Sequence, residues 1–245
     1  MRCFEAAVPA GTRDLVNSLP AAIRIVVPAL NAADTLPDLL SRLTRWTPAE
    51  AILVVDDGST DTTQAIAAES GTMVCRHDVN RGKGAALKSG IRAAFKDPRC
   101  SAVVTMDADG QHDPEDLGAF IASWERDGAD LVLGNRQILG SRMPLHRRLS
   151  NLTTSFLVSS RMGRIIPDSQ CGYRLLSRRA GETIIPSSDG FEAETEWLLR
   201  AAAKRMVITS VPVRTVYRGE RSHMQNWKTT KAFIRVLVRE YSWAD

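Results

Sequence analysis

Between residues 23 and 133, short β-branched runs alternate with helical patterns, and this alternation constrains the fold more than any other feature. Ile23–Val27 is one such run, with a helix pattern after it through Leu36, Leu39, Leu40 and Leu43. Ala51–Val55 is the next, ending at Asp56-Asp57-Gly58, with Thr60 or Asp61 placed to cap a helix through Ile66 and Ala67. A strand near Thr72–Cys75 leads through a glycine-bearing loop to a helix over Ala85–Phe95. Ala102–Met106 ends at Asp107, and Asp113 to Asp116 open a helix over Leu117–Arg126; Leu131–Leu133 is one more short strand. Strands separated by helices of this length build βαβ units, so the expected fold class is α/β, a mainly parallel sheet with helices on both faces. Ligands of such sheets bind at the carboxyl ends of the strands, which is where Asp56, Asp57, Asp107 and Asp109 fall.

Composition excludes several alternatives. With 44% hydrophobic residues and 6% aromatic, the 245-residue chain is neither disordered nor fibrous. No window approaches the ~20 apolar residues of a membrane span. Cys3, Cys75, Cys100 and Cys171 have no metal-type or disulfide-framework spacing, so they are expected to be reduced thiols of a cytosolic protein. The net charge of +4 conceals an uneven distribution. From Arg136 to Arg179 there are nine arginines, no lysine and one acid, Asp168, which gives that stretch +8. No recognition motif or aromatic interleaving accompanies it, so nucleic acid is not an expected partner.

Asp107-Ala-Asp109-Gly-Gln111 supplies two carboxylates and an amide oxygen, hard ligands suited to Mg²⁺ or Mn²⁺. Asp113 and Asp116, at N-cap and N3 spacing, already open the next helix and leave Asp107 and Asp109 without a structural task; His112 reads as a wall residue. Gly58 allows a tight turn after Asp56 and Asp57, whose carboxylates can accept from a nucleobase or ribose. Arg81-Gly-Lys83-Gly84 is not a P-loop, since glycine follows the lysine; it is a basic loop that can approach a diphosphate.

Five segments occur in the order and at the spacing of inverting family-two glycosyltransferases. They are Pro28 to Asn31, Val55 to Asp61, Asn80 to Ala85, Met106 to His112 and Gly134 to Arg136. Within that family the chain most resembles the dolichyl- or polyprenyl-phosphate mannose and glucose synthases, over residues 23–225. The resemblance implies a GT-A, Rossmann-like fold: a lead-in over 1–22, a transferase domain over 23–225, and a basic amphipathic C-terminal helix over 226–245. Residues 23–135 would form the nucleotide-sugar half and 136–225 the acceptor half.

By the same resemblance, Pro28, Asn31, Asp56 and Asp57 surround the nucleoside. Asp107, Asp109 and Gln111 hold the metal and diphosphate, Lys83 approaches the diphosphate, and Arg136 and Arg147 lie near the diphosphate or the acceptor phosphate. Two departures stand out: Ala32 replaces a frequent acid after Asn31, and residues 218–223 match their family segment only loosely.

The expected donor is a nucleoside-diphosphate sugar, GDP-mannose or UDP-glucose, and the expected acceptor a polyprenyl phosphate at a membrane surface. A phosphate acceptor needs no base, whereas a hydroxyl acceptor would need a carboxylate such as Glu192, Glu194 or Asp189. A non-catalytic nucleotide-sugar-binding module is the third alternative. On the C-terminal helix, Trp227, Ile234, Leu237, Val238 and Tyr241 gather beside Lys228, Lys231, Arg235 and Arg239, a pattern that suits an anionic interface. The expected location is cytoplasmic, extending to peripheral attachment at the inner face of a membrane.

Overall fold

A computed structural model describes residues 2–4, 22–136, 143, 145–215 and 226–239. Eight strands form one sheet: β1 (Arg2–Phe4), β2 (Ile23–Ala29), β3 (Ile52–Asp56), β4 (Met73–Arg76), β5 (Ala102–Thr105), β6 (Leu131–Asn135), β7 (Arg174–Ser177) and β8 (Ile208–Pro212). Their order is β1-β4-β3-β2-β5-β7-β6-β8. The block β4-β3-β2-β5 is parallel throughout, as the alternation of strands and helices requires. Beyond β5 the pattern changes, because β7 inserts antiparallel between β5 and β6. The helices are α1 (Leu36–Leu43), α2 (Thr63–Glu69), α3 (Lys83–Ala94), α4 (Leu117–Asp127), α5 (Leu145–Met162), α6 (Arg178–Thr183), α7 (Ala193–Ala203) and α8 (Asn226–Val238).

The two-residue period of the strands explains how both faces are covered. Ile25, Val27, Ile52, Val54 and Val104 point to one side, where they pack with Leu36, Leu40 and Leu43 of α1 and Leu117 and Phe120 of α4. Val26, Leu53, Val55 and Val103 point to the other, against Leu87 and Ile91 of α3 and Trp197 and Leu198 of α7. Strands buried on both faces read as continuous apolar runs, which is why they are easily located.

Three findings differ from the expectations. Asp116 does not reach back to cap α4; its carboxylate accepts from Arg214, and Asp113 alone caps the turn, from Glu115 N–H. Cys75 is disulfide-bonded rather than reduced, and the residue across the β1–β4 ladder from it is Cys3. A bridge between neighbouring strands joins residues far apart in sequence, so spacing carried no sign of it. Cys100 and Cys171 are free and buried. Finally, α8 turns part of its apolar side inward: Val236 is buried, Phe233 and Leu237 pack on the core, and the helix lies against α5 and α7. Among the described residues of the expected face, Leu237 is partly buried while Ile234 and Val238 are exposed. Trp227 and Lys228 (as side chains) and Tyr241 lie outside the described residues.

Glu196 of α7 is fully buried, and its carboxylate accepts from the N–H and hydroxyl of both Ser187 and Ser188 and from Arg200. Burial alone would raise its pKa, but these donors hold it at about 2. A depressed carboxylate stabilises the fold above its unfolded pKa of 4.5 and loses that contribution as pH falls toward 2. Glu196→Gln should therefore cost about 2–3 kcal/mol at pH 7 and much less at pH 2.5, as read from urea unfolding at both pH values.

Candidate active site

Parallel pairing brings the carboxyl ends of β2, β3, β4 and β5 to one edge, where Pro28, Asn31, Asp56, Asp57, Asp107 and Asp109 stand at or just past the strand ends. Pro28 is buried near the end of β2. Asn31 follows at φ +49°; its N–H donates to Ser59 Oγ (2.9 Å) and its Oδ1 accepts from Thr60 N–H (2.9 Å), so it fixes the turn after β3. Asp56 is fully buried and accepts from Ser59 N–H (2.9 Å). Its Oδ2 has no hydrogen-bond partner among the described residues, and the Arg76 Nε is 3.6 Å away.

Asp57 is engaged differently. Oδ1 lies 2.6 Å from His77 Nδ1 and 3.0 Å from the Arg81 N–H, while Oδ2 accepts from the Gly82 N–H at 2.8 Å. His77 Nε2 in turn meets Ser89 Oγ at 2.9 Å. Two backbone donors and an imidazole thus bind the carboxylate to the basic loop, which Asp57 holds in place. Gly82 has φ +101°, and a Cβ there would sit 2.5 Å from the Asp189 carbonyl oxygen. No other residue fits this turn.

That turn delivers Lys83, the first residue of α3, to the centre of the site. Its Nζ lies 2.8 and 3.0 Å from the two oxygens of Asp107 and 3.0 Å from Glu194 Oε2. Burial opposes the charge on Lys83, but Asp107 and Glu194 together overcome it and hold the ammonium above its usual range. For Asp107, burial pushes upward, and Lys83 and then His112 draw the carboxyl well below the ordinary carboxylate range. His112 is buried, with Nε2 3.8 Å from Asp107 Oδ2 and its ring tilted against Tyr173, consistent with a wall residue. Asp109 moves the opposite way: burial and then the Asp107 charge raise it, although its Oδ1 accepts from the Gln111 N–H at 3.0 Å.

The Asp107–Lys83–Glu194 triad joins segments up to 111 residues apart, and neither the basic loop nor the acid at 194 announces it alone. Arg174 is a second residue the sequence reading missed. This buried arginine donates to the carbonyls of Cys171, Ser169 and Glu194, pinning the start of α7 to the loop before β7. A charged residue opening an apolar strand was the available signal. Glu192 is only half-buried and has no ion-pair partner among the described residues. Arg136 forms a two-point pair with buried Asp168, at 2.7 and 2.9 Å. Arg147 lies on α5, with its side chain outside the described residues.

Gly172 faces the Asp107 carboxylate so closely that a Cβ would lie 2.4 Å from Oδ2. Gly172→Ala must displace a carboxylate already gripped by Lys83. Turnover should fall about 10–100-fold and stability by about 1–3 kcal/mol, measured by initial rates and thermal unfolding.

Among the described residues no three acidic, histidine or cysteine side chains converge as a closed metal cage. An open pair of carboxylates still fits Mg²⁺ or Mn²⁺, because such ions are commonly held by one or two carboxylates together with substrate phosphates.

Residues 24–185 match the family model for glycosyl transferase family 2. The chain belongs to that family. Among its relatives, an uncharacterized protein of Methanocaldococcus jannaschii is 36% identical over 80% of this chain and 82% of its own length. The polyprenol monophosphomannose synthase of Mycolicibacterium smegmatis is 31% identical over 77% of this chain and 75% of its own. The fold superposes on glucosyl-3-phosphoglycerate synthase from Mycobacterium tuberculosis, solved with Mn²⁺, UDP-glucose and phosphoglyceric acid, with a TM-score of 0.68. That match has 22% identity and covers 88% of this chain and 78% of the other. The family-2 member described here is thus a glycosyltransferase with a GT-A fold. No helix among its described residues is long and apolar enough to cross a membrane.

Proposed function

We propose that this chain transfers a hexose from a nucleoside-diphosphate sugar to a polyprenyl-phosphate acceptor, with inversion and dependence on Mg²⁺ or Mn²⁺. The observation that carries the reading is the pair of carboxylates, Asp107 and Asp109, just past β5 at the carboxyl edge of the sheet, with the buried cation Lys83 2.8 Å from Asp107. Asp107 and Asp109, with Gln111, would hold the metal, which when bound supplies Lewis-acid charge to the diphosphate leaving group. Lys83 keeps Asp107 ionised and fixes the positions of Asp107 and Glu194. Asn31 and Asp56 face the nucleoside, with the unpartnered Asp56 Oδ2 able to accept from it, and Asp57 holds the loop that carries Lys83.

A phosphate monoester is largely dianionic at neutral pH, having a second pKa of about 6, and attacks without a protein base. It needs placement by cations, for which the arginine-rich 136–179 stretch is suited. The relative at 31% identity, named for polyprenol monophosphomannose synthesis, supports this acceptor. One observation favours a second reading: Glu194 Oε1 is buried beside the site with no hydrogen-bond partner among the described residues, where it could take a proton from a hydroxyl acceptor.

Full-length protein with Mn²⁺, offered GDP-mannose, UDP-glucose and UDP-N-acetylglucosamine in turn, tests the donor class. Sugar transfer from one of them with inverted anomeric configuration, abolished by EDTA and restored by Mn²⁺, is expected. Metal-independent transfer, or retained configuration, overturns the reading.

A further inference from the structure

A second basic site lies outside the carboxylate cluster and includes Arg81 of the loop that Asp57 holds. A cavity of about 350 Å³ runs along α3, lined by Arg81, Lys88, Ser89, Arg92, Lys96 and Asp189. That volume is at the small end of the range for small-molecule sites. Lys88 and Arg92 stand one turn apart on α3, about 6 Å along its axis, and Lys96 follows just past the C-cap at Phe95.

Lys88 is nine-tenths buried and held by the Ser188 carbonyl (2.8 Å) and Asp189 (2.7 Å), and that contact satisfies the one acid in the lining. Arg81, Arg92 and Lys96, the other basic residues of the lining, have no ion-pair partner among the described residues. Three uncompensated cations therefore share one concave surface. Its floor contains the Ser89 hydroxyl, only 8% exposed and fixed by His77.

We propose that this cavity is a binding site for a phosphate-bearing anion, distinct from the diphosphate position at Asp107 and Asp109. Cations at this spacing suit two adjacent phosphates better than one, because each phosphate can take charge-assisted hydrogen bonds from a neighbouring pair. A soluble polyphosphate and the headgroups of an anionic membrane share this chemistry. The site does not depend on the choice of donor or acceptor made above.

The test uses the full chain without divalent cations at 150 mM salt. One arm is calorimetric titration with inorganic pyrophosphate; the other is co-sedimentation with phosphatidylglycerol-containing vesicles against pure phosphatidylcholine vesicles. Each is run on wild type, on Arg92→Glu/Lys96→Glu, and on the milder Arg92→Gln/Lys96→Gln in case charge reversal perturbs folding. Saturable pyrophosphate binding that weakens about tenfold or more in the variants supports a soluble ligand. Binding confined to anionic vesicles, and lost in the variants, supports a lipid headgroup. No binding in either arm, or binding that both variants retain, overturns the proposal.

Discussion

Asp109→Asn is expected to slow sugar transfer about 10³-fold and at the same time to raise stability in EDTA by about 0.5–1 kcal/mol. The two effects share one cause. Burial and the neighbouring Asp107 charge raise the Asp109 pKa above its ordinary value, so the fold disfavours its ionised form. A carboxyl raised in this way contributes stability below its unfolded pKa and loses it as pH climbs through the folded one. Asparagine removes that pH-dependent cost while its amide oxygen can still accept from the Gln111 N–H. Thermal unfolding between pH 4 and 8 should show the variant gaining on the wild type as pH rises. A variant that loses both activity and stability would mean that Asp109 is part of the scaffold.

Lys83→Met should be damaging on both counts. Methionine keeps most of the aliphatic stem but leaves the Asp107 and Glu194 carboxylates facing each other without the ammonium that contacts both. Removing one member of a largely buried ion cluster costs about 3 kcal/mol, and displacing the carboxylate that positions the diphosphate should cost at least 10²-fold in turnover. Because the lost partner stabilised ionised carboxylates, the variant's deficit should shrink as pH falls through the carboxylate range. Adding Glu194→Gln removes one of the stranded charges and should recover about 1–2 kcal/mol without restoring turnover. Urea unfolding of the two single variants and the double variant completes the cycle.

The parts of this fold legible in the sequence are those that local physics specifies. β2, β3 and β5 are buried on both faces, so each is rich in β-branched residues, β3 and β5 are closed by carboxylate turns, and their parallel order follows from the helices between them. Asp107 and Asp109 were visible for the same reason, since both stand just past a strand end. What stayed hidden was set by contacts between distant segments. β7 has four residues, and although the helix α5 precedes it, it inserts antiparallel between β5 and β6 rather than as a parallel crossover. The Arg81–Lys83 loop reads in sequence as a basic loop able to approach a diphosphate, but the contacts that fix it, from Asp57 on one side and Asp107 and Glu194 on the other, join distant segments. Arg136 read as a phosphate-facing cation, yet its guanidinium grips Asp168, the single acid of the arginine-rich stretch. Residues 189–196 offered several acids of similar appearance, and packing gave them separate tasks. Glu196 organises Ser187 and Ser188, Glu194 meets Lys83, and Asp189 meets Lys88.

The most direct test of the central claim is nucleoside diphosphate release from the preferred donor in the presence of Mn²⁺, with and without a short polyprenyl phosphate. Release that requires the lipid phosphate, persists in Glu194→Gln apart from a modest loss, and disappears in Asp109→Asn is the predicted result. Release that ignores the lipid phosphate, responds to a hydroxyl acceptor and vanishes in Glu194→Gln would contradict it and assign Glu194 as a general base.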